Sequence, residues 1–227
     1  MPGVVKMEVS GSVALLMLGV PPINALDEGA LHDLQEAVDG AERDEDVRAV
    51  VISSGIDGFF CAGGDLKYWP CTYPGDARTV GAAGRKVFSR IEELGKPTVA
   101  AIQGRVIGDG LSLALACDIR LASPDSTFRL PELDYGFIPG WGTVGRLIET
   151  VGKSATAELL LLGDEMGASD AQALGLIHRV VSSEDLLCSA RSRRNGSRPS
   201  HPWLCAMPRQ CFGVIPRIAL GFQETGS

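Results

Sequence analysis

The stretch VRAVVISSGIDGFFCAGGDL, Val47 to Leu66, decides how the rest of the chain is read. Its first part, Val47 to Ser53, is a run of valine and isoleucine of strand length, the pattern of a strand buried on both faces. A glycine-rich loop follows, Gly58 to Asp65, and a weaker helical pattern covers about Ala77 to Leu94. The same sequence of events recurs downstream. Pro97 opens the apolar strand Thr98 to Gln103, Gly104 to Gly110 is a second glycine-rich loop, and Leu111 to Cys117 is an apolar run that starts a helix.

Working outward, the pattern extends to both sides. Val4 to Leu18 reads as a hairpin around Gly11-Ser12, ended by Pro21-Pro22. From Asp27 a helix is predicted, because Ala30, Leu31, Leu34, Ala37, Val38 and Ala41 recur at helical spacing. Arg120 to Ala122 and Thr127 to Leu130 read as short strands. Ser154 to Leu162 and Ser169 to Leu174 read as helices, the second stopped by Gly175. Strands and helices alternate throughout, so the fold class is α/β.

The 227 residues suit one domain of ordinary size, or one domain with an appendage. A net charge of −7 argues against nucleic acid as a partner, since such proteins are usually basic. No apolar run approaches the ~20 residues of a membrane span, so no membrane partner is expected. Met1 to Lys6 lacks the pattern of a signal peptide. The expected setting is a reducing compartment, the cytoplasm first. Cys61, Cys71, Cys117, Cys188, Cys205 and Cys211 show no CxxC pairing and no histidine at zinc-ligand spacing, so no metal site is expected. His32, His178 and His201 are scattered and read as structural or solvated. There is no GxSxG and no HExxH, which removes serine hydrolases and zinc peptidases.

Residues 188–227 break the pattern. They hold half the cysteines, four prolines, and six arginines against one acid, Glu224. Their charge is +5, which leaves −12 for the rest. Pro199, Pro202, Pro208 and Pro216 recur too often for a long helix. The organisation expected is a domain over 1–187 and an atypical, poorly ordered tail over 188–227, whose sequence did not evolve with the body.

Two loops share a design that suits chemistry. Cys61 to Asp65 and Gly108 to Gly110 each follow a strand and precede a helix. Glycine permits close backbone approach, and a helix start presents unpaired N–H groups. Two such loops aimed at one point would stabilise an oxyanion.

In this order and spacing the chain resembles the enoyl-CoA hydratase/isomerase family, the crotonases, over about residues 4–187. The matching pieces are Pro22 to Leu26, Val47 to Ser53, Phe60 to Leu66, Lys96 to Gly104 and Gly108 to Gly110. They continue through Ala116 to Arg120, Phe128 to Glu132, Gly136 to Gly140 and Ala173 to Ile177. The resemblance implies a spiral of ββα turns with side helices, an acyl-CoA thioester as substrate, and a homotrimer. No cofactor is implied beyond the coenzyme A that the substrate carries. The tail does not match, and replaces helices that the family uses to cover the acyl pocket and build the trimer.

The resemblance also assigns residues. The backbone N–H groups of Gly64 and Asp109 match an oxyanion hole, and Glu132 matches a catalytic glutamate. Coenzyme A contacts map to Gly64, Asp65, Leu66 and Lys67, with Ala25 and Ala62 near the adenine. Lys67 could equally be a solvated helix-face lysine. Asp65 reads as a helix cap, and Asp118 and Arg120 as a structural ion pair or turn. Arg129 is by default a solvated strand residue.

Three departures matter. Ser112 stands where hydratases carry a second glutamate, and serine is no general base without a neighbour to activate it. Asp109 stands where the family usually has glycine; it reads as an N-cap for the Leu111 helix, or as a displaced acid/base. Trp141 is bulky for its position, and either narrows the acyl pocket or simply packs. One carboxylate suffices to move a double bond from 3-enoyl-CoA to 2-enoyl-CoA, so isomerisation is favoured. Hydration is the alternative, and a catalytically weak acyl-CoA-binding or scaffold protein is the alternative of another class.

Overall fold

The computed structural model describes residues 3–68 and 76–186, so what the sequence suggests for residues 188–227 lies outside the described residues. The elements fall into successive turns. Strands β1 (Val5–Ser10), β2 (Val13–Leu18) and β3 (Ala25–Leu26) lead to helix α1 (Glu28–Arg43). Strands β4 (Ala49–Ser54), β5 (Phe59–Cys61) and β6 (Gly63–Gly64) lead to α2 (Asp76–Glu92). Strands β7 (Thr98–Ile102) and β8 (Arg105–Ile107) lead to α3 (Asp109–Leu115). Strands β9 (Ile119–Ala122) and β10 (Thr127–Arg129) lead through a 3-10 turn (Glu132–Tyr135) to α4 (Thr143–Leu162). Strand β11 (Met166–Gly167), helix α5 (Ala168–Leu174) and strand β12 (Arg179–Val180) close the described part.

The strands form a six-stranded sheet in the order β1-β2-β4-β7-β9-β12, a four-stranded sheet β11-β10-β8-β5, and the pair β3-β6. Only the β1–β2 hairpin is antiparallel in the large sheet; it turns at Gly11, whose φ of 62° a side chain would resist. The remaining pairs of that sheet are parallel. Three consecutive turns each give their first strand (β4, β7, β9) to the large sheet and their second (β5, β8, β10) to the small one. This is the spiral of ββα turns that the resemblance implies. In the small sheet β5, β8 and β10 run parallel as neighbours, so the segments that leave their ends emerge side by side.

The unbroken apolar run at Val47–Ser53 has a clear cause. Val50 and Ile52 enter the main core with Leu16, Leu34 and Phe60, while Ala49 and Val51 enter a second cluster on the other face with Val99 and Leu121. Both faces are covered, so alternation disappears.

Helix α1 buries Ala30, Leu31, Leu34, Val38 and Ala41, and the Asp27 carboxylate accepts the Ala30 N–H at 2.8 Å as its N-cap. Lys96 closes the other end, its Nζ donating to the carbonyls of Ala41 and Asp44. Helix α4 corrects the sequence reading. It begins at Thr143, eleven residues before the predicted start, and bends where Gly152 leaves helical dihedrals at φ 82°. That glycine hides the first half from periodicity. Among the described residues no helix is long and apolar enough to cross a membrane.

Candidate active site

The three neighbouring strand ends deliver three loops to one place: Ala62 to Asp65 after β5, Gly108-Asp109 after β8, and Leu130 to Glu132 after β10. Ligand sites in sheets of this kind gather at such carboxyl ends. Close backbone approach holds the loops together. Gly108 N–H donates to Arg129 O at 2.9 Å. A Cβ on Gly110 would stand 2.2 Å from Cys61 O, and one on Gly63, at φ 80°, would stand 2.9 Å from Asp109 N. Asp109 is the first residue of α3, so its N–H has no acceptor within the helix. Gly64 differs from the sequence expectation. It sits in the short strand β6, paired with β3, and not at a helix start. Asp65 is followed by a tight turn among the described residues, its Oδ1 accepting the Lys67 N–H at 2.9 Å.

A cavity of about 370 Å³ opens where these loops meet. Ala25, Ala62, Gly64, Asp65, Leu66, Lys67, Asp109 and Glu132 all line it, so the residues singled out in the sequence as contacts or catalysts are brought to one wall system. Ile23, Tyr135, Phe137 and Trp141 supply apolar surface. Ser112 is not among the lining residues, and is fully buried.

Glu132 opens the 3-10 turn after Pro131 and is only 5% exposed. Its carboxyl lies against Gly108: a Cβ there would stand 2.5 Å from Oε1. Its Oε2 is buried without a hydrogen-bond partner among the described residues. Burial, with a smaller push from the charge of Asp109, raises its pKa to about 7. A carboxyl with that value can take and return a proton near neutrality.

A family model described as "Enoyl-CoA hydratase/isomerase" matches residues 8–199. The chain belongs to the enoyl-CoA hydratase/isomerase family. It is 35% identical over 182 residues to a crotonyl-CoA hydratase of Syntrophomonas wolfei, covering 80% of this chain and 70% of the relative. It is 33% identical over 209 residues to a short-chain-enoyl-CoA hydratase of Clostridium acetobutylicum, covering 92% and 80%. The crystal structure of an enoyl-CoA hydratase from Thermoplasma volcanium superposes with a TM-score of 0.84 at 28% identity, covering 99% of this chain and 86% of that one.

Within this crotonase fold the departures acquire partners. Asp109 caps nothing in its own helix, where Gly108 is the N-cap and makes no side-chain cap bond. Its Oδ1 instead crosses to the entry of α4, accepting the Trp141 N–H at 3.1 Å and the Thr143 hydroxyl at 2.6 Å. Burial raises its pKa, while Thr143, the N–H groups of Trp141 and Gly140, and the charge of Arg146 pull the other way. Ser112 is bound into a separate network. Its hydroxyl donates to Trp141 O at 3.1 Å and accepts from Arg146 Nη1 at 3.0 Å. Arg146 is held in turn by a bidentate pair with Glu92, both bonds 2.6 Å.

Asp118 and Arg120 are structural, though not as a pair with each other. Asp118 accepts from Thr98, and Arg120 donates to the carbonyls of Leu176 and Cys117. Arg129 is committed to Gly163 O and Asp134. The sequence reading missed Arg146 and Thr143, which lie in the half of α4 that it left unassigned. It also missed the role of Asn24, fully buried at φ 52°, whose side chain ties the loop carrying Ile23 and Ala25 to Ser54 Oγ, Phe60 O and Val20 N. A positive φ on a non-glycine residue leaves no periodic trace. Burial pushes the thiol of Cys61, which precedes the cavity-lining Ala62, up to about 12.

Proposed function

We propose that the cavity binds an acyl-CoA thioester with its carbonyl oxygen between the N–H groups of Gly64 and Asp109, and that Glu132 shifts the double bond of a 3-enoyl-CoA to the 2-position. Glu132 removes a proton from C2, the charge moves onto the thioester oxygen as a dienolate, and the same carboxyl returns the proton to C4. Each backbone donor fixed at that oxygen is worth about 3–4 kcal/mol to the transition state. Ala25, Ala62, Asp65, Leu66 and Lys67 would hold the coenzyme A part, and no further cofactor enters the scheme. The observation that carries this reading is Glu132 itself, buried on the cavity wall with one oxygen unpartnered among the described residues. No second carboxylate stands at position 112.

Hydration of 2-enoyl-CoA is the second reading, favoured by the names of the relatives, which are hydratases. Glu132 would then activate water alone or beside Asp109. The test is to incubate the purified protein, and Glu132→Gln, with 2-enoyl-CoA and 3-enoyl-CoA thioesters and identify products by mass and retention. Isomer without mass gain supports the first reading. A gain of water supports the second. Binding with no product from either substrate would replace both with an acyl-CoA-binding protein. The homotrimer implied by the resemblance belongs to the same proposal, and sedimentation velocity tests it.

A further inference from the structure

Trp141 is the bulky residue for which the sequence offered two roles, and its surroundings separate them. The residue lines the cavity yet is only 1% exposed, so it forms a wall with little open surface behind it. Its indole lies directly on the backbone of α2: a Cβ on Gly84 would stand 2.0 Å from the ring. The Phe88 ring meets it edge-on, with centroids 5.5 Å apart. Gly81, one helical turn before Gly84, lets the same loop lie close, a Cβ there standing 3.2 Å from Gly140 O. The Trp141 backbone is held at both ends as well. Its N–H donates to Asp109 Oδ1, and its carbonyl accepts from Arg146 Nη1 at 2.7 Å and from Ser112 Oγ. Arg146 is anchored by Glu92. Buried hydrogen bonds thus fix the backbone of Trp141, and close packing on Gly84 and Phe88 holds the indole against the helix.

Its position relative to the chemistry follows from Asp109. The backbone N–H of that residue is the proposed donor to the thioester oxygen, and the carboxylate of the same residue holds Trp141. Gly64, Asp109, Glu132 and Trp141 all line the same cavity, so the indole shares its wall with the proposed donors and base. We infer that Trp141 is the specificity-determining residue that ends the acyl pocket, and that the substrate is a short-chain acyl-CoA. This rests on the acyl-CoA reading above and adds the class of acyl group.

The test uses unreactive saturated thioesters, so it reads the pocket and not the reaction. Free coenzyme A, butyryl-CoA and octanoyl-CoA are titrated calorimetrically into the wild type, Trp141→Ala and Trp141→Leu. The leucine variant retains more of the buried volume, and circular dichroism checks that each variant is folded. In the wild type, octanoyl-CoA is expected to bind no tighter than butyryl-CoA. In the variants the order reverses, with octanoyl-CoA at least tenfold tighter, because buried methylenes each contribute about fourfold when they have room. A wild type that gains affinity steadily from butyryl-CoA to octanoyl-CoA overturns the inference. So does an unchanged ratio in both folded variants. Coenzyme A and its thioesters all failing to bind would instead remove the acyl-CoA reading, and this inference with it.

Discussion

Burial is the main cause that raises the pKa of Glu132 from the ordinary glutamate value of 4.5 to about 7. Proton abstraction needs the ionised form. The kcat/KM value should therefore fall as pH drops through about 7, and Glu132→Gln should lose about 10²–10⁴-fold in turnover while still binding coenzyme A thioesters. Near-normal turnover in the glutamine variant would end the assignment. The charge of Asp109 contributes to the shift, so Asp109→Asn, which keeps an acceptor for Trp141 and Thr143, should move the pH midpoint of kcat/KM downward. A midpoint that stays put would mean that this charge does not reach Glu132. At position 112 the hydroxyl is bound to Trp141 O and Arg146, and Ser112 is not among the cavity-lining residues. A carboxylate introduced by Ser112→Glu would stand beside the Arg146 guanidinium, 3.0 Å from the present hydroxyl, and pair with it. The ratio of hydration to isomerisation should stay unchanged, as read from products of the two enoyl-CoA substrates. A clear rise in hydration would show that the new carboxylate faces substrate after all.

Helix α3 is placed by contact, and glycine makes that contact possible. Gly110 sits so close to Cys61 O that any side chain must push the helix entry away from β5. Gly110→Ala should cost about 1–3 kcal/mol from overpacking. It should also lower kcat more than KM, because the Asp109 N–H moves with the helix. Thermal unfolding and steady-state kinetics together check this; normal kcat in a destabilised protein would separate the helix entry from the chemistry. Helix α1 provides the contrast. Asp27→Ala removes a capping bond between two residues that do not line the cavity, and should lower stability by about 1 kcal/mol while leaving kcat unchanged.

For the molecule as a whole, the raised pKa of Glu132 is a stability cost with a definite sign. The folded protein holds this proton more tightly than the unfolded chain does. The cost is therefore absent below about 4.5 and grows as pH rises through about 7. Glu132→Gln removes the titrating group. The variant should match the wild type at pH 4.5 and be more stable at pH 8.5, by up to about 3 kcal/mol for a shift of this size. Denaturant unfolding at the two pH values measures the difference. Equal stability gaps at both would mean that Glu132 ionises freely in the folded state.

The sequence by itself determined the alternation of strands and helices, the double-sided burial of Val47 to Ser53, the periodic face of α1, and the residue types that would do the chemistry. These are local properties, written in periodicity, glycine placement and motif order. It could not show that Gly64 belongs to a strand and not to a helix start, since a two-residue strand exists only because β3 lies beside it. Nor could it show where the Asp109 and Ser112 side chains go, because their partners, Trp141, Thr143 and Arg146, lie about 30 residues away. Side-chain direction depends on which loops the small sheet sets next to one another. The parallel pairing of β5, β8 and β10 therefore decided how the cavity is walled, while the sequence decided what stands on its walls.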